Sequence, residues 1–146
     1  MNIHLGQGID DYYFGATQSQ IVKRLGKPDR LYQEDKETDY EYDELKITFR
    51  FYENHANKLG WIETENQNAT LFKNRIIGLE ESQIIDILEL NNIDDIEIDE
   101  YQTFKTLYSQ KTILEIEITY GAVSRLKFGV FINEDNQYIW PENKDG

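Results

Sequence analysis

Carboxylates occupy every second position in two stretches of this sequence. They are Asp39, Glu41 and Asp43, which alternate with Tyr40 and Tyr42, and Asp95, Glu97 and Asp99, which alternate with Ile96 and Ile98. Alternate residues of a β-strand point to the same face, so each set of three carboxylates would share one side of a strand. Such a set could bind a metal ion, transfer protons, or recognise the cations of Lys and Arg side chains.

The second stretch is the one that comes nearest to a calcium-binding loop. That loop requires glycine at its sixth position and glutamate at its twelfth. Counted from Asp95, these positions hold Glu100 and Thr106, so the sequence predicts no metal site. Two interpretations of the carboxylates remain. They form either a solvated strand face that discourages edge pairing or a surface that binds a basic protein.

Support for catalysis in this sequence is weak. The chain has no cysteine, and its two histidines, His4 and His55, show no recognisable spacing with a nucleophile. The segment Gly6-Gln7-Gly8 lacks the Lys-Ser or Lys-Thr pair of a phosphate loop and is interpreted as a turn. The sequence therefore predicts a protein that is not an enzyme and binds no cofactor. A small hydrolase that uses paired carboxylates stays open as an alternative.

The composition fits a single folded domain with an acidic surface. The chain has 146 residues, with 28 Asp and Glu against 15 Lys and Arg, a net charge of −13 and 13% aromatic residues. This length can bury a core without disulfides, and the charge favours basic proteins over nucleic acid or membranes as partners. No Lys or Arg precedes Lys23, and no apolar run approaches the ~20 residues of a membrane span. We therefore expect a cytoplasmic protein without a leader.

Two segments of the chain resemble each other. Residues 15–25 and 78–88 are identical at five of eleven positions, which hold Gly, Ser, Gln, Ile and Leu. Average composition would give roughly one identity in such a window. The later segments 47–52 and 114–119 also share an alternating pattern. These matches predict an internal repeat, although two unrelated amphipathic elements would give a similar pattern.

Each copy of the predicted repeat begins with a short helix and continues with strands. Thr17 and Gln20 have capping-box spacing, and Gly26 followed by Pro28 ends the first helix. Apolar residues at helical spacing mark the second helix around Ile84. Alternation with a period of two then predicts three or four antiparallel strands in each copy.

These elements predict an α+β fold. Two tandem repeats of a helix followed by antiparallel strands, residues 9–66 and 72–133, would form one sheet with the helices on one face. The other face would carry polar side chains and face solvent, where a partner could dock.

The segment Phe14-Gly15-Ala16-Thr17 through Ile21-Val22-Lys23-Arg24-Leu25-Gly26-Lys27-Pro28-Asp29 resembles the opening of β-lactamase-inhibitor-protein and SmpA/BamE-like lipoprotein repeats. The resemblance implies tandem units whose sheets join into one concave surface that binds proteins. The sequence has no cysteine that could be lipidated, and we expect no leader, unlike the lipoproteins. In size and charge it is similar to acidic immunity proteins of bacterial polymorphic-toxin and contact-dependent-inhibition systems.

The resemblance and the charge together predict a non-catalytic immunity protein that neutralises a basic toxin domain, such as a nuclease, by binding it directly. An envelope or assembly scaffold is the alternative. The exposed sheet face could also serve a homodimer. The predicted contact residues are Asp39, Tyr40, Glu41, Tyr42, Asp43, Tyr52, Asp95, Glu97, Asp99, Glu115 and Glu117.

Overall fold

The computed structural model describes residues 1–141 of the chain. Its helices are α1 (Gln18–Leu25) and α2 (Glu81–Leu90), and a 3-10 turn covers Glu53–His55. The strands of the first half are β1 (Asn2–His4), β2 (Gly8–Ile9), β3 (Tyr12–Tyr13), β4 (Arg30–Glu34), β5 (Glu37–Tyr42), β6 (Ile47–Tyr52) and β7 (Lys58–Thr64). Those of the second half are β8 (Thr70–Leu71), β9 (Asn74–Arg75), β10 (Ile96–Glu100), β11 (Lys105–Ser109), β12 (Leu114–Thr119), β13 (Ala122–Gly129), β14 (Phe131–Ile132) and β15 (Tyr138–Ile139).

An eight-stranded sheet dominates the structure. Its strand order is β10-β11-β12-β13-β7-β6-β5-β4, so two meanders, β4 to β7 and β10 to β13, meet at the pairing of β7 with β13. Every neighbouring pair in this sheet is antiparallel. Tight turns hold the register. At the turn between β12 and β13, for example, Tyr120 and Gly121 both have positive φ, as a two-residue hairpin turn requires.

A five-stranded sheet of very short strands forms a second layer, in the order β3-β2-β1-β8-β9. Its central pairing is parallel and joins Asn2 with Thr70 and Ile3 with Leu71, which lie almost seventy residues apart in the chain. Gly8 is essential to the tight turn before β3. A Cβ at this position would lie 2.0 Å from the Tyr12 carbonyl oxygen.

The helices are short because each has a clear stop. In α1, the Thr17 side chain accepts a hydrogen bond from the Gln20 amide, and the Gln20 side chain accepts one from the Thr17 amide. The helix ends at Gly26, where φ is +81°. Helix α2 ends at Asn91, whose side-chain amide donates to the Ile87 carbonyl. Such caps satisfy backbone groups that have no partner inside a helix.

A single hydrophobic core joins these layers. It contains the inward side chains of the large sheet, apolar residues of the small sheet, and Ile21, Ile84 and Leu88 of the two helices. Aromatic contacts connect the layers directly, since Tyr12 packs on Phe49 with ring centroids 5.6 Å apart. The opposite face of the large sheet holds the polar members of each alternating strand.

The predicted fold class was wrong. The described residues are mostly β, with 47% strand and 15% helix, and they form an eight-stranded and a five-stranded sheet rather than one sheet with helices on one face. The predicted and observed folds differ mainly in the first seventeen residues and around residues 70–75. The strands there have two or three residues and are too short to show an alternation of polar and apolar residues. They pair over long sequence distances instead.

Several individual elements were predicted correctly. The strands around Phe49 and Ile116, and the helix caps at Thr17 and Gly26, are confirmed. No helix among the described residues is long and apolar enough to cross a membrane.

Candidate functional site

The outward side of the large sheet, which we call the polar face, carries a continuous pattern of charged and aromatic side chains. One row of cross-strand neighbours crosses all eight strands of the sheet. Its members are Arg30, Glu41, Thr48, Glu63, Lys127, Glu115, Tyr108 and Glu97. Opposite charges alternate along much of this row, which stabilises neighbouring strands.

Arg50 of β6 is at the centre of the first half of the polar face. Its Nε lies 2.8 Å from Asp39 Oδ1 and 3.4 Å from Glu37 Oε2, and its Nη2 lies 3.4 Å from Glu63 Oε2. The hydrogen bond to Asp39, followed by the charges of all three carboxylates, raises the pKa of Arg50. One cation therefore fixes three carboxylates, two on β5 and one on β7.

Arg30 of β4 holds the next pair of carboxylates in the same way. Its Nε donates to Glu41 Oε2 at 2.8 Å, and its Nη1 donates to Asp43 Oδ2 at 2.8 Å. The hydrogen bond from Arg30 lowers the pKa of Asp43 and so favours the ionised form of this carboxylate.

The second half of the polar face repeats the arrangement with two other cations. Arg125 Nε donates to Glu65 Oε1 at 3.0 Å, and Lys127 Nζ lies 3.4 Å from Glu115 and 3.9 Å from Glu117. These contacts again place one cation between two or more carboxylates.

Carboxylates exceed cations in these contacts. The four cations are Arg30, Arg50, Arg125 and Lys127. Their eight carboxylate partners are Glu37, Asp39, Glu41, Asp43, Glu63, Glu65, Glu115 and Glu117. The polar face is therefore net negative, and its carboxylates are held in fixed positions by internal ion pairs. A partner that brings further Lys or Arg side chains would meet acceptors that are already oriented.

A shallow depression of about 390 Å³ lies in the first half of the polar face. Arg30, Arg50 and Arg125 line it together with all of the carboxylates that they bind except Glu37, and Thr48 is among its lining residues. Its size and polar lining suit the insertion of a side chain from a partner better than the burial of an apolar ligand.

Two aromatic rings complete the polar face. The Trp61 indole lies over Gly129, so close that a Cβ added to this glycine would be 2.7 Å from Trp61 Cε3. Trp61 Nε1 donates to Glu63 Oε2 at 3.3 Å. The ring of Tyr52 lies in the same way over Gly60, at 2.3 Å from the position of a Cβ. Burial is the main cause of the raised pKa of Tyr52.

The structure places eight of the predicted contact residues on this face or at its rim. They are Asp39, Glu41, Asp43, Tyr52, Glu97, Asp99, Glu115 and Glu117. Tyr40 and Tyr42 point to the core instead, with exposed fractions of 8% and 6%. The prediction that these two tyrosines contact a partner is therefore corrected. In an alternating strand, the tyrosines lie on the face opposite to the carboxylates that alternate with them.

The second acidic stretch lies only partly within a strand. Glu97 and Asp99 lie on β10, the outermost strand of the sheet, and both are exposed. Asp95 precedes the strand, and its carboxylate accepts hydrogen bonds from Ser109 Oγ at 2.7 Å and from the Lys111 amide at 2.9 Å. Partial burial opposes ionisation of Asp95, but these hydrogen bonds outweigh it and lower its pKa. Asp95 therefore stabilises the turn between β11 and β12. This corrects the prediction that its carboxylate lies with those of Glu97 and Asp99 as a contact for a partner.

Sequence reasoning did not name the cations or the tryptophan of the polar face as contact residues. Each of the four cations lies opposite a carboxylate of a neighbouring strand, and Trp61 lies opposite Arg50. Alternation indicated the face, but only the register between strands shows which charges meet. Among residues 1–141, no group of three or more His, Asp or Glu side chains is arranged to hold a metal ion.

Solved structures share this fold at very low sequence identity. An extracellular protein containing an SCP domain from Bacillus anthracis matches 99% of this chain with a TM-score of 0.54 and 10% identity, over 55% of its own length. A DUF4309 family protein (YjgB) from Bacillus subtilis matches 86% of this chain and 88% of its own, with a TM-score of 0.52 and 9% identity. The chain thus spans about half the length of the first protein.

At this level of identity, the comparisons describe the fold alone. No family model and no curated protein matches the chain. The two solved structures belong to neither family that the residues around α1 resemble, so that resemblance stays a prediction.

Proposed function

We propose that this protein is a non-catalytic binding protein whose polar face recognises a basic protein. The observation that carries the proposal is the set of eight carboxylates fixed around four cations on one side of a sheet. Fixed carboxylates lose little conformational freedom when a partner binds, and their excess negative charge attracts Lys and Arg side chains.

The rim of the polar face adds charge without an internal partner. Among the described residues, Glu97 and Asp99 have no cation within 4.0 Å, and they lie at the end of the row that begins with Arg30. Trp61 and Tyr52 supply partly exposed aromatic surface beside the carboxylates. A negative face with aromatic groups suits an interface in which charge speeds encounter and a few rings supply affinity.

The specific role that we propose is that of an immunity protein, which occupies a basic bacterial toxin domain such as a nuclease and acts in the cytoplasm. Nuclease clefts bind phosphate and are therefore positively charged, so they complement an acidic face. An envelope or assembly scaffold is the second candidate, since one protein of similar fold is described as extracellular.

The test is to express the chain together with the protein encoded beside its gene and to measure growth and binding. An immunity role predicts that the neighbouring protein is basic and toxic, and that this chain restores growth and binds it directly. A neighbouring protein that is harmless, or a toxicity that the chain leaves unchanged, would refute the immunity role.

Matched variants locate the interface in the same assay. Glu97→Gln with Asp99→Asn removes two charges from the polar face without disturbing its internal ion pairs. Asp86→Asn with Glu89→Gln removes two charges from exposed positions of α2, whose buried side chains face the core. We expect the first pair to weaken binding about tenfold and the second to change it less than twofold.

A further inference from the structure

A second cavity lies between α1, the turn after β3 and the C-terminal end of the described chain. Its volume is about 610 Å³. Its walls come from four separate segments, represented by Tyr12, Arg24, Lys58 and Trp140. Volumes in this range hold small-molecule ligands in other proteins. None of the interactions of the polar face involves these residues.

Aromatic rings form two walls of this cavity. Trp140 packs edge-on against Tyr138 at a centroid distance of 5.5 Å and lies 6.1 Å from the ring of His55. Gly15 lies below the indole, with 3.4 Å between Trp140 Cε3 and the position of a Cβ. Tyr12 is held from behind by its contact with Phe49. The two walls are therefore supported by packing and are partly exposed to the cavity.

Three cations are among the residues that line the cavity. The guanidinium carbon of Arg24 lies 4.5 Å from the centroid of the Tyr12 ring, and Lys58 Nζ lies 5.4 Å from that of Trp140. Lys23 is the third cation in the lining, and Asp11 is the only carboxylate of the described residues that line it. Asp11 lies 3.5 Å from Arg24, and Lys23 and Lys58 have no carboxylate within 4.0 Å among residues 1–141. The lining thus carries an excess of positive charge in a protein of net charge −13.

We propose that this cavity binds a small organic anion with a planar aromatic body. The aromatic walls offer apolar contacts for a flat ring, and the ammonium groups of Lys23 and Lys58, which have no carboxylate partner among the described residues, offer contacts for a carboxylate. A neutral ring would leave these cations unused, and an anion without a ring would leave Tyr12 and Trp140 unused. The combination therefore favours a ligand that has both parts.

The two tryptophans of the chain provide a direct test. Trp140 lines the cavity and Trp61 lies on the polar face, so the full chain labelled with fluorotryptophan gives one signal for each site in fluorine NMR. The probe is naphthalene carboxylate, and its neutral carboxamide is the matched comparison. The variant Trp61→Phe assigns the two signals. We expect the carboxylate to shift the Trp140 signal in a saturable way and to leave the Trp61 signal in place.

Charge variants then test the recognition of the anion. We expect the carboxamide to bind about tenfold more weakly than the carboxylate, and Lys58→Gln or Lys23→Gln to weaken binding of the carboxylate about two- to fivefold. Lys73→Gln removes a lysine that does not line the cavity and should leave binding unchanged. The proposal is overturned if Trp140 does not respond, if both tryptophan signals shift together, or if the carboxamide binds as well as the carboxylate.

Discussion

At the scale of single residues, the polar face depends on cations that are shared between carboxylates. Arg50 is the clearest case, because Asp39, Glu37 and Glu63 all lie within 3.4 Å of its guanidinium group and its side chain is only 26% exposed. Without the cation, these three carboxylates would face one another across β5, β6 and β7 and repel.

We therefore expect Arg50→Met to lower the free energy of unfolding by about 1 to 2 kcal/mol, since the arginine is partly exposed and its contribution is screened by solvent. Arg75→Met is the control, because Arg75 is exposed on the small sheet and should change stability by less than about 0.5 kcal/mol. Urea unfolding of both variants measures the effect. Equal stability of the two would show that the shared cation does not organise the polar face.

A buried tyrosine gives a pH-dependent prediction. Burial raises the pKa of Tyr42 from its ordinary value of 10.0 to about 12, and its hydroxyl donates to the Gly26 carbonyl at 2.9 Å. Between these pH values the unfolded chain loses the phenolic proton more readily than the folded chain, so the free energy of unfolding falls as the pH rises. The loss for this residue is on the order of 2 kcal/mol.

Tyr42→Phe should make the decrease in stability between pH 10 and 12 shallower. Because the variant also lacks the hydrogen bond to Gly26, its free energy of unfolding at neutral pH should be lower by about 1 kcal/mol. Tyr120→Phe alters a fully exposed side chain and should leave the slope unchanged. Chemical unfolding at several alkaline pH values distinguishes these outcomes. An unchanged slope in Tyr42→Phe would contradict the assignment.

At the scale of elements, α1 depends on its reciprocal N-terminal cap. Thr17→Ala removes the oxygen that accepts from the Gln20 amide and should lower stability by about 1 kcal/mol. Ser19→Ala changes an exposed position within the same helix and should have a much smaller effect. Thermal unfolding measures both. If Ser19→Ala were as damaging as Thr17→Ala, the cap would not be the cause.

Elements with a strong period could be predicted from the sequence. The alternation around Phe49 and Ile116 predicted strands. The N-cap at Thr17 and the C-terminal glycine at Gly26 predicted where the first helix begins and ends. The five-stranded sheet could not be predicted. Its strands have two or three residues, and their central pairing joins Ile3 with Leu71 by contacts that no local pattern encodes.

The candidate site was predictable to a similar extent. Strand alternation placed Asp39 and Glu41 on one exposed face, as the structure has them. The same alternation buries Tyr40, because the neighbour of an exposed carboxylate in a strand points to the opposite face. The pattern therefore did not support Tyr40 as a contact residue. The pairing of Arg50 with Asp39 depends on strand register, which is set by turns and bulges.

At the scale of the whole molecule, charge governs the expected behaviour. The net charge of −13 is carried partly by the polar face, where carboxylates outnumber cations. Association with a basic partner should therefore be fast at low ionic strength and should slow steeply as salt is added. Stopped-flow measurement of the association rate at several salt concentrations tests this. A rate that is independent of salt would contradict recognition by charge.

The central claim is that the polar face is the surface that meets a partner, and site-directed photo-crosslinking tests it most directly. A photoreactive residue would replace Thr48, in the depression of the polar face, or Glu89, on the exposed side of α2. We predict that the basic protein encoded beside the gene is cross-linked from position 48 and not from position 89. Cross-linking from position 89 alone would contradict the proposed interface.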